Sequence, residues 1–146
     1  MSDTSLDALL PPAMAAKAEQ VGVTKANLPL RRLVPLGILA GAFIALGANF
    51  ATVVTASGGS APGVTRLLGG VVFSLGLILV VVSGAEWFTG NTLIVVAFAG
   101  RKVTAAKLLR NWLVVYISNF VGAIAPAALV VWSGQLQAGD GAVGVR

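Results

Sequence analysis

The residues able to do chemistry in this 146-residue chain gather in one stretch, Ser83-Gly84-Ala85-Glu86-Trp87-Phe88-Thr89-Gly90-Asn91, which interrupts a long apolar run. Glu86 can accept hydrogen bonds or carry a proton, and Thr89 and Asn91 can donate to an anion. Gly84 and Gly90 leave the backbone flexible there. The chain has neither His nor Cys, so it lacks the commonest metal ligand and near-neutral proton relay as well as any thiolate. No nucleophile–base pair and no ligand cluster stands out. The pattern predicts no enzyme, no metal and no cofactor. It predicts a polar interruption that meets a small solute.

The surrounding composition says what solvent this interruption sits in. Hydrophobic residues make up 57% of the chain and charged residues only 10%, where a soluble domain carries about a quarter charged. Mean hydropathy is +0.92. This is the composition of an integral membrane protein, and its partner is the lipid bilayer. The net charge of +5 does not indicate nucleic acid, because the basic residues flank apolar segments, where they set orientation.

The elements that must position the stretch follow in chain order. Residues 1–32 form the soluble-looking part. The start does not fit a signal peptide, since no basic residue leads into an apolar core with an A-x-A site. Pro11-Pro12 can open a helix, with Met14, Ala18 and Val21 at i, i+4 and i+7 as the apolar side of a short amphipathic helix on the membrane surface. Residues 33–56 are an uncharged first span, near the roughly 20 residues that cross a ~30 Å core. Gly37, Gly41 and Ala45 recur there at spacing four, which is either a close helix contact face or the ordinary glycine content of membrane helices. Ser57 to Gly63 reads as an exposed loop.

Residues 67–99 are apolar for about 33 positions, roughly 50 Å as one helix. An average tilt near 20° removes only about 6% of that length, so the element must break, and 83–91 is where. Irregular backbone at membrane depth is tolerated only where it is buried in protein or lines a watery cavity. The expectation is a nearly complete span to residue 82, a break over 83–91 and a half-helix over 92–99. Asn91 or Thr89 is expected to cap that half-helix, whose N-terminal end favours an anion.

A third span covers 108–132, with Trp112, Tyr116 and Trp132 as interfacial anchors. Asn111 and Asn119 are expected to hydrogen-bond neighbouring helices, and Pro126 to kink the helix near its end. Residues 133–146 are an external loop. Before the first span lie Lys17, Lys25, Arg31 and Arg32, and between the second and third lie Arg101, Lys102, Lys107 and Arg110. The first loop holds only Arg66 and the tail only Arg146. The bias places the N-terminus in the cytoplasm of a multi-pass protein of the inner membrane.

These motifs resemble the formate/nitrite transporter family, its formate channels in particular. The resemblance rests on Asp7-Ala8-Leu9-Leu10-Pro11-Pro12-Ala13-Met14-Ala15, on Gly41-Ala42-Phe43-Ile44-Ala45-Leu46-Gly47 and on Leu67-Leu68-Gly69-Gly70 followed by Phe73-Ser74-Leu75-Gly76-Leu77-Ile78-Leu79. It continues through Gly84-Ala85-Glu86-Trp87-Phe88-Thr89-Gly90-Asn91, Leu109-Arg110-Asn111-Trp112 and Asn119-Phe120-Val121-Gly122-Ala123. Trp87 departs from the Leu more often found at that position.

The resemblance implies an all-α, aquaporin-like inverted-repeat fold of six spans, of which this chain holds the first three-span repeat with its broken second helix. It implies a homopentamer whose protomers each pass small monovalent anions, with formate expected first and nitrite or hydrosulfide as alternatives, linked to a proton. It places Thr89 at the pore centre, opposite a His on the fifth span, and apolar constrictions at Phe73, Leu77 and Phe88. On periodicity alone those three would as readily be plain core or lipid-facing residues as pore-lining ones, and the resemblance is what moves them to the pore. Gly90 and Asn91 complete the expected pathway, with Glu86 and Gly84 as support. Glu86 is either functional, as intramembrane acids are by default, or a structural carboxylate accepting hydrogen bonds from the loop backbone. The second repeat lies beyond this chain, which therefore reads as a fragment. The competing function is a non-conducting structural or assembly subunit.

Overall fold

The computed structural model describes residues 10–56, 61–138, 140–141 and 143–144. Asp7-Ala8-Leu9 of the N-terminal motif, residues 57–60 of the first loop, and Arg146 lie outside them. All regular structure among the described residues is helical: α1 (Pro11–Ala26), α2 (Leu30–Ala56), α3 (Pro62–Ser83), α4 (Phe88–Asn91), α5 (Ile94–Ala99) and α6 (Ala105–Trp132), then a 3-10 turn at Gln135–Gln137. Of these, α2, α3 and α6 are long and apolar enough to cross a membrane. At 1.5 Å per residue they measure about 40, 33 and 42 Å.

Helix α2 is the centre, packed on α6 on one side and on α3 on the other. Small residues set both contacts. A Cβ on Gly41 would strike the Asn119 backbone, one on Gly122 the Ile38 backbone, and one on Gly37 would come within 2.6 Å of the Ser118 Cβ. The stripe that begins Gly37, Gly41 is therefore the face that receives α6, and Ala45 continues it along a groove beside α6. Gly47, about 240° further round the helix at 100° per residue, faces α3 instead. A Cβ there would lie 2.9 Å from the Phe73 carbonyl, and one on Gly76 2.7 Å from that of Phe43. Without a hydrophobic drive between lipid-solvated helices, such close backbone approach is what holds them together.

Helix α1 forms where Pro11-Pro12 predicts it, with Pro in its first turn, but a different face meets the protein. Gly22 and Ala26 are buried, whereas Met14 and Val21 are exposed. Gly22 comes so near α5 that a Cβ there would be 3.0 Å from the Ala97 Cβ. Close approach selects the small residues over the larger apolar ones. Ala26, Ile94, Ala97, Val103 and Leu108 form the resulting cluster, with Val23 and Trp112 against it. Helix α6 runs without interruption through Pro126, which is buried.

Candidate functional site

The break begins with a chain reversal that only a left-handed residue makes cheaply. Gly84 has φ 64°; its N–H donates to the Val81 carbonyl at 3.2 Å, and that of Ala85 to the Val80 carbonyl at 3.0 Å. This pair of bonds is a Schellman cap, and it ends α3. Trp87 is extended, with φ −102° and ψ 136°. Helical backbone then resumes at Phe88 and runs through the αR residues Thr92 and Leu93 into α5. The irregular segment is thus 84–87, shorter than the expected 83–91. Thr89, Gly90 and Asn91 occupy the first turn of a 12-residue half-helix that begins at Phe88 instead of 92.

That early start changes the capping. Neither Thr89 nor Asn91 caps the half-helix, contrary to the sequence expectation. Asn119 of α6 supplies the acceptor instead: the Phe88 N–H donates to its Oδ1 at 2.9 Å. The Asn119 Nδ2 donates to the carbonyls of Glu86, at 2.9 Å, and Gly37, at 2.8 Å. The Glu86 N–H donates to the Leu36 carbonyl of α2 at 3.2 Å. The Glu86 N–H and carbonyl and the Phe88 N–H, freed by the break, are therefore satisfied by α2 and α6.

Beneath the break lies a buried polar network. The Lys25 Nζ of α1 sits 2.8 Å from the Glu86 Oε1 and donates to the Asn91 Oδ1 at 3.1 Å. The Asn91 Nδ2 donates to the Glu86 Oε2 at 2.7 Å and to the Asn111 Oδ1 at 2.9 Å. The Asn111 Nδ2 donates to the Lys25 carbonyl, and the Trp112 Nε1 to the Asn91 carbonyl, each at 2.9 Å. Among the described residues every buried side-chain polar atom has a partner. Glu86 is thus a paired carboxylate whose partners are two side chains, where the structural alternative had the loop backbone as its donor. Asn111 and Asn119 do bond across to other elements, as their spacing suggests.

Two grooves flank the break. The first, of about 490 Å³, is lined by Lys25, Leu77, Val80, Gly84, Thr89 and Gly90 among others. The second, of about 370 Å³, runs between α2 and α6, where Trp87, Phe88, Thr89, Tyr116 and Asn119 contribute. Thr89 faces both. Its hydroxyl and N–H, and the Gly90 N–H, have no acceptor among the described residues. Phe88 is packed edge-on against Trp112 and Tyr116, with ring centroids 6.2 and 5.6 Å away.

The structure therefore brings Leu77, Gly84, Thr89 and Gly90 to one groove and puts Phe88 on the other. Phe73, one turn before Leu77, lines neither. Asn91 and Glu86 lie buried below, at 0% and 5% exposure. The half-buried Trp87 packs on the Ala40, Val80 and Ala85 cluster. Sequence reasoning overlooks Lys25, 61 residues before Glu86. The available signal was the acid itself, since an acid in a span calls for a compensating cation. No group of three His, Cys, Asp or Glu residues gathers at ligand distance among the described residues.

Three helices long and apolar enough to cross a membrane, one followed by a break and a half-helix tied down by a part-buried ion pair, define a multi-pass membrane protein with a polar site. The family model described as Formate/nitrite transporter matches residues 12–145. The chain belongs to this family. It is 45% identical over 139 residues to the formate channel FocA of Haemophilus influenzae, covering 94% of this chain and 49% of that one. Its identity with the formate channel FocA of Escherichia coli K12 is 43% over 146 residues, covering 99% and 51%. With the probable formate transporter of Methanothermobacter thermautotrophicus it is 39% over 118 residues, covering 77% and 43%. The chain spans about half the length of these curated relatives.

Proposed function

We propose that the chain forms one wall of a pathway for small monovalent anions, formate first and nitrite or hydrosulfide next, that pass together with a proton. The observation that carries this is Thr89, exposed on an open groove that Lys25 also lines, with a hydroxyl and N–H that have no acceptor among the described residues. Lys25 offsets Glu86, so no bare negative charge stands beside the route. The names of the relatives as formate channels give the solute class. Leu77 on the first groove and Phe88 on the second supply apolar walls that strip water from an ion, a step that disfavours the charged form and favours passage as the neutral acid. Phe73 acts one turn along α3, as the second constriction. Asn91 serves the pathway from below, as the hub that holds the Thr89 turn.

The facing wall in this proposal is a second three-span repeat, inverted relative to the first, in an aquaporin-like protomer of a homopentamer. The protein sits in the inner membrane with its N-terminus in the cytoplasm. In support, α1 and the starts of α2 and α6 gather basic residues at one end of the bundle, where Lys107 donates to the Asn27 Oδ1 and Arg110 to the Leu28 carbonyl. The role is transport, not catalysis. The break argues against a purely structural subunit, since a scaffold gains nothing from interrupted backbone at depth.

The test is stopped-flow formate uptake into proteoliposomes against empty liposomes, with Thr89→Val as the near-isosteric variant lacking the hydroxyl. Flux in the native protein and a fall of about tenfold in the variant are expected. Absence of formate, nitrite and hydrosulfide flux in the native protein would overturn the reading.

A further inference from the structure

We infer that Asn119 is a positioning residue for the Phe88–Thr89 turn, acting from α6 as the cap of the half-helix and thereby setting which solutes the pathway accepts. The inference rests on the transport reading for its selectivity consequence, but its geometric half stands by itself.

A helix start leaves its first N–H groups without partners inside the helix, and a cap side chain in the preceding residue usually accepts from one of them. The residue in that place here is Trp87, which has no acceptor to offer, and no side chain of the half-helix caps it. Asn119 accepts from the Phe88 N–H at 2.9 Å with Oδ1 while its Nδ2 holds the carbonyls of Glu86 and Gly37. One amide thus ties the last residues of the break to the first residue of the half-helix and to α2. The task calls for an acceptor and two donors held in one plane, which a primary amide provides; Asp, Ser, Thr and Leu each lack part of it.

The amide has little freedom to drift. The Asn119 backbone lies against Gly41 and the Ile38 backbone against Gly122, so α6 is seated on α2 at the level of this bond. Phe88 is held a second time, through its ring, by Trp112 and Tyr116 of the same helix. Thr89, by contrast, has no side-chain or N–H partner of its own among the described residues. Its place in the groove is set by its neighbours in the turn: Phe88, held by α6, and Asn91, held by the network below. Loss of the amide lets the turn rotate or fray, which moves Thr89 without removing any group that lines the first groove.

The experiment uses the absence of cysteine from the chain. Thr89→Cys adds a thiol to a chain that has none, and its labelling rate by a small hydrophilic thiol reagent in proteoliposomes, taken as the difference from the native protein, reports the position and water access of residue 89 whether or not solute flows. Asn119→Leu, which keeps the size and removes all three bonds, is expected to change that rate by about tenfold. On the Thr89 background it is expected to change the ratio of formate to acetate flux by a similar factor. Asn119→Asp, which keeps the acceptor for Phe88, restores part of both. If Asn119→Leu does not assemble, Asn119→Ser, which keeps one acceptor and one donor, takes its place with a smaller shift expected. Unchanged labelling and an unchanged flux ratio in a folded variant overturn the inference. Changed labelling with no formate flux in the native protein keeps the positioning role and rejects the transport reading.

Discussion

Removing Lys25 separates an ion pair that matters from one that merely exists. In Lys25→Met the Glu86 carboxylate, whose side chain is 6% exposed, keeps Asn91 as a donor and loses the cation at 2.8 Å. Stranding one partner of a buried pair costs about 3–5 kcal/mol. The lower figure applies, because the Asn91 bond persists and the Lys25 side chain was 24% exposed before the change. About 3 kcal/mol corresponds to roughly two orders of magnitude in the folding equilibrium. Glu86→Gln leaves a cation that can turn toward water, so its cost is smaller, about 1–2 kcal/mol. The double variant removes both charges together. It is expected to recover to within about 1 kcal/mol of the native protein, since neutral replacements of a buried pair are tolerated where half-pairs are not.

The assay is reversible unfolding in mixed detergent followed by tryptophan fluorescence, in which Trp112 reports locally through its bond to the Asn91 carbonyl. The four species form a double-mutant cycle whose expected coupling, the sum of the two single costs less that of the double, is about 3–4 kcal/mol. A Lys25→Met protein as stable as the native one, or a double variant as costly as the sum of the two singles, would refute the claim that the buried Glu86 carboxylate depends on Lys25.

Three further outcomes follow from the packing. Gly41→Ala and Gly122→Ala each drive a Cβ into facing backbone and are expected to cost about 1–3 kcal/mol, whereas Gly70→Ala, with nothing within 4 Å, stays within about 1 kcal/mol; the same unfolding series measures all three. Gly84→Ala meets no neighbour but must hold φ 64°, a strain of about 1–2 kcal/mol, and Gly84→Asn should recover part of it because Asn tolerates that conformation. Lys102→Ala removes the contact to Glu19 at 2.6 Å, yet its side chain is 59% exposed, so a loss below about 1 kcal/mol is expected; a loss as large as that of Lys25→Met would show that the two pairs are not distinguished by burial.

How much of this was readable beforehand depends on how local each cause is. The three crossings, and the break in the apolar run after the second, follow from length and hydropathy, which are properties of contiguous residues. The sequence expectation ends the span at 82 and marks Gly84 only as flexible support; that Gly84 is the left-handed cap closing α3 at Ser83 is read from the structure. The α2 stripe at Gly37 and Gly41 was visible as a pattern, though nothing in it named α6 as its partner. The cap of the half-helix was misplaced because cap rules assume a residue next to the helix in sequence. Here the acceptor lies 31 residues from the Phe88 N–H, on a helix whose register is set by glycines. Lys25 escaped notice for the same reason: a lysine in a soluble-looking segment has the signature of orientation, and only the docking of α1 on α5 through Gly22 carries it to Glu86.

These misses share a physical origin that bears on how such a site can exist. A broken helix in hydrocarbon exposes backbone groups and, here, a carboxylate, each costly to leave alone. Local residues satisfy them only in part: Asn91 donates to the Glu86 carboxylate, while Thr89 and Gly90 are the ones left toward the groove. The compensation must therefore come from elsewhere in the chain: a cation from α1, amides and an indole from α6, and a carbonyl from α2. The polar partners that make the break tolerable are then necessarily distant in sequence, and the residues left unpaired are the ones available to a solute. A variant that supplied a local cap, such as Trp87→Asp, would hold the same turn through the Thr89 or Gly90 N–H, the second and third of the half-helix. Asn119→Leu would then be less damaging on that background than on the native one, a coupling the thiol-labelling assay reads directly. Equal damage on both backgrounds would mean that a cap local in sequence does not substitute for Asn119.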